Sequence, residues 1–133
     1  MYKLAVLSLI LTIASNGFTA FIGSEDHYYD DCLHPGSNPV TVYDKEVREE
    51  GQLLVTKEDT VRVPTSGFTD SPITCISVIN QETDENGGYV SVLTGGVGST
   101  FVTFHFKSQL SKGFDFQVSV YYNNATTAKD VTV

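Results

Sequence analysis

The chain has 133 residues, 16 Asp and Glu against 8 Lys and Arg, a formal net charge of −8 and two cysteines. That length suits one domain with its own core rather than two. So acidic a surface repels phosphate and anionic lipid, which argues against direct binding to nucleic acid or to a charged membrane.

Met1 to Ala20 carries one early positive charge at Lys3, an apolar run from Leu4 to Ile13, and then small and polar residues. This is the layout of a secretory signal peptide, and the apolar run falls well short of the roughly 20 residues a membrane-spanning helix needs. Cleavage after Gly17 and after Ala20 are both open; residues 1–20 are taken as the leader. All 16 acidic residues follow it. The mature chain is therefore expected outside the cell and off the membrane. In that compartment an even cysteine count predicts one disulfide, Cys32 to Cys75. The loop it closes holds about 44 residues, which chain entropy makes worth roughly 4 kcal/mol.

Residues 21–39 read as an acidic, irregular N-terminal arm, with Glu25, Asp26, Asp30 and Asp31 around His27, Tyr28, Tyr29 and His34, and with turn formers Pro35, Gly36 and Pro39. The His and Asp spacing there fits no tetrahedral metal pattern. No metal or cofactor is expected. A β-rich domain over 40–133 follows. Val40 to Tyr43 predicts a short strand, Asp44 to Glu50 a helical turn or loop, and Gln52 to Thr56 with Thr60 to Val63 a hairpin. Pro64 to Pro72 is a loop by composition, and Ile73 to Asn80 is the next strand.

Asn86-Gly87 signals a turn, because both positions tolerate positive φ. Beyond it lie three strands, Val90 to Thr94, Thr100 to Lys107 and Phe114 to Tyr122. The first gap is broken by Gly95, Gly96 and Gly98, the second by Ser111, Lys112 and Gly113. Val102, Phe104 and Phe106 alternate with Thr103, His105 and Lys107, while Phe114, Phe116, Val118, Val120 and Tyr122 alternate with Asp115, Gln117, Ser119 and Tyr121. One buried face and one wet face per strand describe an antiparallel sheet. Seven or more short strands without an amphipathic helix predict an all-β fold, a small antiparallel sandwich or barrel with one disulfide.

Little in the chain points to catalysis. Gly95-Gly96-Val97-Gly98 lacks the third glycine of a dinucleotide fingerprint and leads into a strand, so a hairpin turn is the reading. His105, Ser108 and Asp115 lie close in sequence, but no nucleophile elbow accompanies them. The expectation is no enzyme and no catalytic residue. Asn124-Ala125-Thr126 is a glycosylation sequon, which makes Asn124 a candidate modification site on a secretory route.

Several linked blocks between Ile76 and Tyr122 resemble the insect multiprotein bridging factor 2 family, a transcription activator family that includes salivary secreted peptides and response-to-pathogen proteins. The blocks are Asn86-Gly87-Gly88-Tyr89, Gly95-Gly96-Val97-Gly98, Phe101 to Gln109 with His105, Lys107, Ser108 and Gln109, and Gly113-Phe114-Asp115-Phe116 with Tyr121. Leu110-Ser111-Lys112 departs from the basic, glycine-bearing turn of the family pattern. The resemblance implies a protein that works by contacting other proteins, a role that does not require touching nucleic acid, and the acidic charge predicts no direct contact with it. Its name implies a co-activator inside the cell, whereas the leader sends the chain outside. Export is the leading expectation, with a salivary, gut or defence-related interaction protein as the product and an unidentified protein as its partner. Oligomeric state is not legible.

Overall fold

A computed structural model of the chain describes residues 26–32 and 34–124. The expected leader at 1–20 and the residues Ala125 and Thr126 of the sequon lie outside the described residues.

Seven strands and no helix make up the described residues: β1 (Tyr29–Cys32), β2 (Pro39–Glu49), β3 (Glu58–Val63), β4 (Ile73–Asn80), β5 (Tyr89–Gly95), β6 (Val102–Lys107) and β7 (Phe114–Asn123). They form two wholly antiparallel sheets, one ordered β1-β4-β7-β2 and the other β3-β6-β5. The pairing is nested. Because β2 pairs with β7 and β3 with β6, the chain from 39 to 123 is a long hairpin whose two arms cross together from one sheet to the other. The expected sandwich with one disulfide is the fold observed.

The inner faces supply the core. Val102, Phe104 and Phe106 from β6 meet Phe114, Phe116, Val118 and Val120 from β7, with Ile73, Ile76 and Val78 from β4, all at most 1 % exposed. Phe106 lies 5.2 Å from Phe116 and 5.9 Å from Phe114 between ring centroids, spacings at which tilted and offset rings attract beyond their buried area.

Three sequence expectations fail, each for a physical reason. Asp44 to Glu49 is no helical turn but the second half of β2, whose outer edge is free; its charged side chains point to water and only Val47 is buried. Gln52 to Thr56, read as a strand from its apolar residues, is a loop containing a turn, because Leu53 and Leu54 face solvent. Within the expected irregular arm, residues 29–32 form edge strand β1, which shows no apolar alternation because it is held by pairing with β4 and by the Cys32–Cys75 disulfide between register partners. Ahead of β1, Asp26 exchanges two backbone hydrogen bonds with Val90, at 2.8 and 3.4 Å, and so covers part of the open edge of β5.

Candidate functional site

The antiparallel order sends the β2–β3, β4–β5 and β6–β7 loops to one end of the sandwich. Most of the family blocks meet there. Gln109 lies in the β6–β7 loop and its amide Nε2 donates to the carbonyls of Gly87, at 2.9 Å, and Asp84, at 3.2 Å, both in the β4–β5 loop. Ser108 is 2 % exposed and ties in the third loop: its Oγ accepts from Lys57 N–H at 2.8 Å and its own N–H donates to the Lys57 carbonyl at 2.8 Å. Asn86 Oδ1 accepts from the Lys112 ammonium.

The glycines at this end are fixed by close approach. A Cβ on Gly88 would lie 2.7 Å from Phe114 Cβ and 2.8 Å from the Lys107 carbonyl, and one on Gly113 would lie 2.0 Å from the Glu49 carbonyl. The turn expected at Asn86-Gly87 is present, and neither residue uses the positive φ that it tolerates. Both N–H groups instead donate to the Thr83 carbonyl, at 3.0 and 2.6 Å, and a Cβ on Gly87 would strike the Asn80 amide nitrogen. His27 caps this loop, with Nδ1 2.9 Å from the Gly88 carbonyl and its ring stacked 4.7 Å from Tyr89.

Two tight turns protrude side by side from the same end. Val55 N–H donates to the Gln52 carbonyl and Lys112 N–H to the Gln109 carbonyl, each at 3.0 Å. Leu54, at φ 60°, and Ser111, at φ 66°, hold the third position of their turns, where positive φ calls for glycine or asparagine. No other described non-glycine residue has positive φ. The left-handed conformation costs an L-residue about 1–2 kcal/mol. Leu54 N–H donates to Ser111 Oγ at 2.7 Å and Ser111 N–H to the Val55 carbonyl at 2.9 Å, so each turn braces the other. Leu53, Leu54 and Leu110 are 79 %, 74 % and 60 % exposed. Beside them lies a hollow of about 240 Å³, lined by residues including Arg48, Glu49, Glu50, Glu82 and Lys112. The sequence marked only the Leu110-Ser111-Lys112 turn of this tip; the leucine pair of the other turn read as strand.

The other predicted residues are elsewhere. Gly95, Gly96 and Gly98 turn β5 into β6 at the opposite end, all with positive φ, and Gly98 N–H donates to the Ile73 carbonyl, tying this hairpin to the other sheet. Phe114 and Phe116 are core. Asn124 follows β7, its N–H bonded to the Asn38 carbonyl at 2.9 Å. His105 Nε2 meets Glu58 Oε1 at 2.9 Å across β3 and β6, while Ser108 is engaged with Lys57 and Asp115 of β7 stands opposite Arg48 of β2, so these three are not brought together as a catalytic set. Among the described residues no group of three or more His, Cys, Asp or Glu is placed to hold a metal ion.

A "Probable salivary secreted peptide" of Bombus ignitus is 28 % identical over 129 residues, covering 89 % of this chain and 91 % of that protein. No solved structure matches. The family model described as "Transcription activator MBF2" matches residues 36–121, from just before β2 almost to the end of β7. By that match over well more than half its length, the chain belongs to the MBF2 transcription activator family.

Proposed function

We propose that this chain is a secreted, non-enzymatic interaction protein of saliva, gut or defence, acting through contacts with another protein. The observation that carries the reading is the similarity to a salivary secreted peptide across nine-tenths of both chains. It is supported by the Cys32–Cys75 disulfide, a bond that persists in oxidising compartments, and by a leader-like start. The family name favours a second reading, a co-activator bridging other proteins inside the cell. Non-enzymatic action fits His105 and Ser108, whose side chains are bonded to Glu58 and Lys57 rather than to each other or to Asp115.

Fractionation of insect cells expressing the full chain separates the two. The expected result is a chain shortened by about 20 residues in the medium, with a mass that falls on glycosidase treatment if Asn124 carries a glycan. Full-length chain in the nuclear fraction would overturn secretion in favour of the co-activator.

A further inference from the structure

We propose that Leu53, Leu54 and Leu110 on the paired turns form a docking knob that enters an apolar groove of a basic protein, whose cationic side chains meet the carboxylates of the adjoining hollow. This rests on the reading of the chain as an interaction protein, and names where it binds and with what chemistry.

Leu54 carries the argument. Glycine would hold its left-handed conformation without strain, yet the chain places there a leucine that is 74 % exposed and so gains little from burial. A strained, exposed leucine beside two more exposed leucines is accounted for by a partner that covers them. The bracing hydrogen bonds between the turns present the three side chains already ordered, which lowers the entropy lost on docking.

Charge selects the partner. In the hollow Arg48 is paired with Glu50 at 2.8 Å and the Lys112 ammonium is turned onto Asn86, leaving Glu49 and Glu82 without an ion-pair partner among the described residues. The nearby ammonium of Lys57 is bound to Gln52 Oε1 at 3.2 Å. Free carboxylates beside the leucines repel the phosphates of a lipid surface and attract lysine or arginine. Three leucines are also too small a patch for the roughly 800 Å² per partner of a standard interface, so a stable contact extends over the hollow.

The test uses the secreted chain with a photo-crosslinking amino acid replacing Leu53, and as control Thr60 on β3, irradiated in salivary secretion and gut fluid of the source organism. Expected is a crosslink from position 53, mapped to an apolar segment bordered by Lys or Arg in one identified protein. With that protein purified, Leu53→Ser, Leu54→Gly and the pair Glu49→Lys with Glu82→Lys should each weaken binding about tenfold or more, and salt should weaken the wild-type complex. Leu54→Gly should leave the thermal midpoint unlowered, since glycine holds this φ without strain, and its loss of binding is then not loss of fold. Crosslinks from position 60 alone would overturn the knob while leaving the interaction reading standing; none from either position would sink both. Binding indifferent to charge reversal, or wild-type protein sedimenting with phosphatidylcholine vesicles where Leu54→Gly does not, would also overturn the proposal, the latter by making the leucines a lipid anchor.

Discussion

Phe116 is buried in the aromatic cluster, with ring neighbours Phe106 at 5.2 Å and Phe114 at 6.0 Å. Truncating a phenylalanine so enclosed leaves a cavity that the neighbouring strands cannot close. Phe116→Ala should therefore cost about 3–5 kcal/mol, a large share of the roughly 5–15 kcal/mol that a domain this size has, and urea midpoints measure it. Glu46 is different in kind. On β2 it stands diagonal to Asp115 of β7, since Glu46 faces Gln117 and Arg48 faces Asp115. Hydrogen bonding to the Asp115 carboxyl, then the Asp115 charge and slight desolvation, raise the Glu46 carboxyl above its ordinary value, against an opposing pull from Arg48. A raised folded-state value means that the favourable contribution is complete below the unfolded-state value and is lost as pH climbs through the raised one. Glu46→Gln should accordingly stabilise the protein at pH 7 and lose that advantage below about pH 4, the ordinary range for glutamate. Equal urea midpoint shifts at both pH values would contradict this account.

At the scale of the strand, legibility followed burial. β4, β6 and β7 show in the sequence because each puts alternate apolar side chains on an inner face. Two edge segments hide: β1 reads Tyr-Asp-Asp-Cys, and the second half of β2 reads as mixed charge, because neighbours and solvent rather than a core decide them, whereas the edge strands β3 and β5 keep enough apolar residues to be read. The family blocks were legible one by one, but not their meeting at one end, which depends on the nested pairing of strands far apart in sequence. Leu53-Leu54 misled because hydrophobicity in a short run signals a strand unless a backbone dihedral, invisible in sequence, says otherwise. The hold on β1 is testable. Removing the disulfide by Cys32→Ser with Cys75→Ser should lower stability by up to about 4 kcal/mol, and amides 29–32 should lose exchange protection before those of β6 and β7. Simultaneous loss in all strands would mean that β1 is no separable unit.

Taken whole, the molecule has an acidic surface, a closed core, and one end where three loops are laced by Ser108 and Gln109 while two turns project beyond them. That division lets the tip vary without disturbing the core, since the leucines contribute little to folding. The nested hairpin also sets an order of events during synthesis. β7 lies between β4 and β2, so one of the two inner strands of the four-stranded sheet is the last of the seven to leave the ribosome. Until it arrives, β2 and β4 have no shared neighbour, and their open sides could join those of another nascent chain. A protein arranged in this way joins β2 to β4 in one late step, while β1 with β4 and β3, β5 and β6 among themselves can pair before residue 114 is made.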